Sequence, residues 1–172
     1  MSETDRMWDL LQRAYEGGDA WRGPSLRDLL EGVTASHASA RPIVDAPTVW
    51  ELVLHLTAYD DVVRRRIAGE PIGELPEERA WPTAEDPSPA AWRKALDAFS
   101  QGHRRLRQAL AGFSAARLND VVPGRDYPFY VMLYGTIQHV LYHAGHVEML
   151  LLTQGVQPHG SPLPRRRVAT LA

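Results

Sequence analysis

The sequence predicts an all-α protein, a four-helix bundle with one long crossover between helices 2 and 3. Apolar residues recur every three or four positions in four long segments, as they do along one face of an α-helix. The alternating pattern of a half-buried strand is not sustained anywhere in the chain. About 20 residues rich in proline and glutamate separate the second segment from the third, enough to cross the length of a bundle. Helices 2 and 3 are therefore expected to run parallel.

The first long helix is expected over about 5–16, where Gly17 and Gly18 stop it. A short helix is expected over 25–32, because its leucines share one side. Residues 36–47 are expected to form a loop. The short helix does not count among the four main helices.

Helix 2 has the clearest start signal. Thr48 and Glu51 have the spacing of a capping box, in which the threonine side chain accepts a bond from a free amide and the glutamate reaches back to the threonine amide. Apolar residues continue from there to Ile67, and Gly69 follows them. We therefore expect helix 2 to run from the capping box to Ile67.

Helices 3 and 4 are marked at their ends. Ser88 followed by Pro89 is a plausible N-cap and first helical residue for helix 3. Helix 4 is expected to begin within 128–131 and to run to Gln154, with Gly155 as its stop signal.

Length and composition limit the classes of function. A chain of 172 residues suits one domain, which we assign to 1–157, followed by a Pro/Arg-rich tail at 158–172. A net charge of −2 predicts no binding of nucleic acid and none of anionic membranes. No membrane span or secretion signal is recognisable, so a cytoplasmic protein is expected. The absence of cysteine excludes a disulfide, a cysteine-ligated metal and a protein thiol nucleophile.

Three of the seven histidines lie close together in the segment QHVLYHAGHVEML at 138–150. On a helix, His139, His143 and His146 fall within a stripe about 60° wide. Histidines one turn apart can bind the same metal ion. A single helix cannot surround the ion, so a third ligand has to come from another helix.

His55 is the candidate for that third ligand, because it lies among leucines of helix 2 without an evident reason to be polar. Glu51 and Tyr59 flank it one turn before and one turn after. We name these two residues, together with His146, as candidate catalytic residues. His103 lies on the apolar stripe of helix 3, where a histidine satisfied by a neighbour is expected rather than a ligand.

The chain resembles the DinB/YfiT-like superfamily of small metal-binding four-helix bundles. The resemblance rests on PTVWELVLHLTAYDDVVRRRIAGEP and YGTIQHVLYHAGHVEMLL, with WRGPSLRDLLEGVTASHASARPI near the start. It implies that one histidine of helix 2 and an HxxxH pair of helix 4 bind a divalent metal, and these positions are His55, His139 and His143. Where family members often have glutamine, this chain has His146, which is open to three readings: a fourth ligand, a proton shuttle or a polar lining residue.

Imidazole ligands suit several divalent ions. We expect zinc or nickel first, with iron and manganese as alternatives, and we expect binding to weaken below about pH 6.5, where free imidazole takes up a proton. The resemblance favours a thiol-dependent S-transferase that uses an external low-molecular-weight thiol and a second small-molecule substrate. The alternatives are a hydrolase that activates water against an amide or ester and a non-catalytic stress protein that binds a metal or a ligand. A homodimer is also expected, by analogy with the superfamily.

Overall fold

The computed structural model describes residues 1–17 and 23–163. In this part of the chain 62% of the residues are helical and no strand is formed, as predicted. Of the features predicted from the sequence, Gly18 and the basic end of the tail at 164–172 lie outside the described residues. None of the described helices is long and apolar enough to cross a membrane.

The described residues form seven α-helices rather than four, with one short 3-10 helix at Ala115–Arg117. Four of the α-helices are long and agree with the predicted segments. The α-helices are α1 (Glu3–Glu16), α2 (Leu26–Leu30), α3 (Ala35–Ser39), α4 (Val49–Ile67), α5 (Glu77–Ala80), α6 (Pro89–Ala111) and α7 (Phe129–Thr153).

Two short helices correct the sequence-based prediction. The helix α3 lies in the segment that was expected to be a loop, where Thr34 caps it by accepting a bond from the His37 amide. The helix α5 lies within the connection between α4 and α6. Neither segment carries the large apolar residues on one side by which the equally short α2 was predicted, so the pattern in the sequence could not reveal them.

The predicted helix ends are formed by the expected contacts. The Thr48 hydroxyl accepts a bond from the Glu51 amide at 3.1 Å, and the Glu51 carboxylate accepts one from the Thr48 amide at 2.7 Å. The Ser88 hydroxyl caps α6 by accepting a bond from the Ala91 amide at 3.1 Å, with proline as the first helical residue. Gly155 follows the end of α7 with a φ of 76°, a left-handed conformation that favours glycine.

The long helix α4 lies between α6 and α7. Its contacts with α6 occur in the same order along both helices: the rings of Trp50 and Trp92 are 5.0 Å apart, and nearer the far end Asp60 contacts His103. Helices that run parallel give this order. Against α7 the order is reversed, because His55 meets His139 and His143 whereas Arg66 meets Tyr127 just before α7 begins.

The connection between α4 and α6 is fixed near its start. The buried guanidinium of Arg66 donates to the carbonyls of Ile72 at 3.0 Å and Gly73 at 2.6 Å, and to the Tyr127 hydroxyl at 3.1 Å. Gly124 also approaches this segment so closely that a Cβ there would lie 2.9 Å from the Pro71 carbonyl carbon. These contacts direct the connection toward the middle of α4.

A buried polar pair joins α4 to α6 inside an otherwise apolar interface. His103 is fully buried, and its Nδ1 lies 3.1 Å from an Oδ of Asp60, which is 2% exposed. Burial raises the pKa of Asp60, and the hydrogen bond with His103 opposes that rise. The expected neighbour of His103 is thus found at its Nδ1, whereas its buried Nε2 has no hydrogen-bond partner among the described residues.

The His103→Ala substitution is expected to lower the free energy of unfolding by about 3 kcal/mol, because it leaves Asp60 buried without its partner and opens a cavity. Urea unfolding followed by circular dichroism measures the change. Arg104→Ala is the matched control, since Arg104 is the exposed neighbour on the same helix. Equal stability of the two variants would show that the buried pair does not stabilise the fold.

Candidate metal centre

Three histidines from two helices meet where α4 crosses α7. His55 comes from the middle of α4, and His139 and His143 lie one turn apart on α7. One ring nitrogen from each residue can be chosen so that all three atoms lie within 4.8 Å of one another. The rings meet edge to face, with centroids 4.6 to 5.0 Å apart. The structure thus brings together the three residues that the sequence singled out as candidate ligands.

The orientation of His55 is set by the connection between α4 and α6. Its Nδ1 lies 2.6 Å from the carbonyl oxygen of Ala80, the last residue of α5, so the Nδ1–H donates to that carbonyl. The neutral ring then keeps the lone pair on Nε2, which faces the cluster. A backbone carbonyl bound to the outer nitrogen is a common way of fixing the tautomer of a metal-binding histidine.

Trp81 covers the ring of His55. The two rings are stacked, with centroids 3.7 Å apart and an interplanar angle of 15°. Because Trp81 directly follows Ala80, the connection supplies both a hydrogen-bond acceptor for the imidazole and an apolar cover for its face. Neither contact was predicted, since residues in an irregular connection carry no periodicity that would indicate what they face.

The contact between His55 and His139 requires a proton or a cation. Their Nε2 atoms are 2.9 Å apart. Since Nε2 of His55 is an acceptor in the neutral tautomer, a proton on His139 or a metal ion has to lie between the two nitrogens. The donor set of three imidazoles, all held on the long helices α4 and α7, fits a divalent ion of the zinc type.

Burial keeps the cluster uncharged. It lowers the pKa of His55, and it lowers the pKa of His139 to about 4 and that of His143 to about 3, with repulsion from the neighbouring histidines as the second cause. Both values lie below the pKa of about 6.5 of free imidazole, from which the pH dependence of metal binding was expected. Because the unfolded chain takes up these protons at a higher pH than the folded one, acidification favours unfolding of the metal-free protein.

His146 lies beside the cluster but does not belong to it. Its Nδ1 is 3.3 Å from the Nδ1 of His143, and its ring packs edge to face on Tyr142 with centroids 4.3 Å apart. The group of potential ligand atoms that converge within 4.8 Å comprises His55, His139 and His143. The contact places His146 on the outer nitrogen of a candidate ligand, where a residue can orient the ring or exchange a proton with it.

The other two candidate catalytic residues have different surroundings. The Tyr59 ring packs against both His55 and His139, with centroids 4.8 and 5.1 Å away. Glu51 caps α4 and forms an ion pair with Arg41, whose guanidinium contacts both carboxylate oxygens at 2.7 and 2.9 Å. The contacts of Glu51 are thus those of a helix cap, and its catalytic assignment stays a prediction.

Two cavities open beside the histidines. The first, the polar cavity, has a volume of about 460 Å³ and is lined by His55, His139, Tyr59, Asp60 and Thr136 among others. The second, the apolar cavity, has a volume of about 330 Å³ and borders on His143 and His146. Small molecules could therefore approach the cluster from two directions.

The chemistry available at the cluster follows from its charge. All three candidate ligands are neutral imidazoles, so a divalent ion held by them keeps its full positive charge and acts as a Lewis acid toward a bound thiol or water. Three protein ligands also leave room for a further group on the ion, which is typical of catalytic rather than structural zinc sites. The arrangement is a candidate divalent-metal site with access for a ligand.

Comparison with known proteins agrees with the resemblance seen in the sequence. The family model described as the DinB superfamily matches residues 21–146. This range contains the whole of α4 and α6, the three histidines of the candidate centre, and His146 beside it. Neither the curated proteins nor the solved structures give a match to the chain. On the family match, the chain belongs to the DinB superfamily.

Proposed function

We propose that the protein is a metal-dependent S-transferase that activates an external low-molecular-weight thiol at the three-histidine centre and transfers its sulfur to an electrophilic small molecule. The observation that carries this proposal is the cluster of three uncharged imidazoles with a cavity on each of two sides. Zinc or nickel is the proposed ion. His55, His139 and His143 are the residues that would hold it.

The composition of the chain supports the proposal that the thiol is a separate small molecule. There is no cysteine in the sequence, so the reacting sulfur has to come from a second molecule. The polar cavity is the proposed site of that thiol, since it borders on His55 and His139 and offers the Tyr59 ring and buried polar groups along its wall. The apolar cavity then remains for the other substrate.

His146 has the proposed role of moving the proton. In the transfer, a bond forms from sulfur to an electrophilic carbon, the bond from that carbon to its leaving group breaks, and the thiol proton has to leave with the departing group. His146 lines the apolar cavity beside His143, and its ring nitrogens can accept and donate a proton. The proposed role follows from this position.

A metal-dependent hydrolase is the second candidate, because the structure places a carboxylate at the polar cavity. Asp60 lines that cavity and its raised pKa leaves it suited to accept a proton from water. The contact with His103 holds the carboxylate in place. The thiol experiment below separates the two candidates.

Thiol binding is tested with cobalt-substituted protein. We expect mercaptoethanol to produce a sulfur-to-metal charge-transfer band in the near ultraviolet, and because the chain has no cysteine, this band can come only from the added thiol. Ethylene glycol, which replaces the thiol with a hydroxyl, is the control ligand and should give no band. Metal-loaded protein that shows no band at saturating thiol would contradict the S-transferase and favour the hydrolase.

Metal content is tested by elemental analysis after dialysis. We expect one divalent ion per chain, retained at about pH 5.5 because the pKa values of His139 and His143 lie well below that of free imidazole. His139→Ala should lose most of the metal, since no nearby side chain replaces the missing nitrogen.

His159→Ala is the matched control for metal content, because His159 is exposed and pairs with Glu31 at a distance from the cluster. It should keep the wild-type stoichiometry. Full metal content in His55→Ala would show that α4 does not supply a ligand. Loss of the metal already near pH 6.5 would show that burial does not keep the histidines neutral.

The His146→Gln variant is expected to keep its metal, because His146 lies outside the set of converging nitrogens. The reaction of mercaptoethanol with chlorodinitrobenzene, followed by absorbance, should change its pH dependence in the variant, because a glutamine side chain cannot take up and release a proton as an imidazole does. A variant that comes out free of metal would identify His146 as a fourth ligand. An unchanged pH profile would exclude the proton-transfer role.

A further inference from the structure

The apolar cavity is built differently from the polar one. Its wall consists mainly of Ile43, Trp81, Tyr142 and Met149, and the imidazoles of His143 and His146 also line it. No lysine, arginine or carboxylate is among the residues that line it. A wall of this composition offers no counter-charge to an ionised ligand.

Large apolar side chains at this cavity remain accessible. Ile43 is 45% exposed, Tyr142 is 65% exposed and Met149 is 53% exposed. They come from two separate parts of the chain, the segment before α4 and the second half of α7. Exposed apolar groups that converge on one concavity indicate a binding site, whereas scattered ones do not.

The aromatic groups of the cavity lie on the candidate metal centre itself. Trp81 stacks on His55 and meets the His143 ring edge to face at 6.0 Å. Tyr142 contacts both His143 and His146. A flat ring bound between these side chains would therefore lie against the histidines and not on a remote surface.

We propose that the apolar cavity binds an uncharged aromatic molecule with either a single ring or two fused rings. The volume of about 330 Å³ lies at the small end of the range for ligand pockets. The inference rests on the proposed function in one respect only, that this molecule is the electrophile in the transfer. A second copy of the chain is a less suitable occupant, because the imidazoles at the cavity lie next to a reactive centre that a dimer interface would close.

The test uses protein labelled with carbon-13 in its methionine methyl groups. The four methionines include one at each cavity, Met149 at the apolar cavity and Met132 at the polar one, while Met7 lies in the core. Indole added to metal-free protein is expected to shift the Met149 methyl signal in a saturable manner and to leave Met132 and Met7 unchanged. Indoleacetate should bind at least about tenfold more weakly, because the cavity offers no counter-charge.

Ile43→Gln and Val44→Gln form a matched pair of variants. Both residues are exposed neighbours in the same segment, but only Ile43 lines the cavity. Ile43→Gln is expected to raise the Kd for indole about tenfold through the loss of apolar contact, and Val44→Gln should leave it unchanged. Because metal-free protein is used, the result does not depend on whether the thiol forms its charge-transfer band.

Several results would overturn the inference. One is an unshifted Met149 signal at the solubility limit of indole, and another is a shift of Met132 instead. Equal loss of affinity in both glutamine variants would contradict binding in the apolar cavity. Binding of indoleacetate as tight as that of indole would contradict the preference for an uncharged ligand. Light scattering that shows a dimer for the wild type and a monomer for Ile43→Gln would assign this face to a second copy of the chain.

Discussion

The enclosure of three uncharged imidazoles between α4 and α7, two of them buried and one half-buried, is the constraint on which the rest of the structure depends. Polar rings inside an apolar interface need partners for both of their nitrogens. His55 and His139 face each other at 2.9 Å, and this contact uses one nitrogen of each. The other nitrogen of His55 has to be satisfied from outside the two helices. The connection between α4 and α6 meets that need.

That connection is organised toward the histidines from its first residues. Arg66 holds its start by donating to two backbone carbonyls, and the short helix α5 then ends at the carbonyl that accepts the bond from His55. A long connection between parallel helices would otherwise have many possible paths. The buried arginine and the buried histidine select one of them, and they link the packing of the fold to the geometry of the candidate centre.

The sequence carried enough information for the long helices and for the cluster, but not for the surroundings of the cluster. Periodicity and capping residues such as Thr48 and Ser88 act locally, and the structure contains the helices that they predict. The stripe of histidines on α7 is also a local signal. The contacts of Ala80, Trp81 and Asp60 depend on residues distant in the chain, and no spacing encodes them. The ion pair between Glu51 and Arg41 could not be predicted for the same reason.

The hydrogen bond from His55 to Ala80 has a consequence for how the chain can vary in length. Surface connections normally tolerate insertions and deletions, because few contacts fix their backbone. Here the path from Gly73 to Trp81 is held at one end by Arg66 and at the other by the imidazole. An added or deleted residue between them would displace the carbonyl and the indole together. This short stretch of irregular backbone is therefore expected to keep its length in a lineage as strictly as a helix does, even where its individual side chains are free to change.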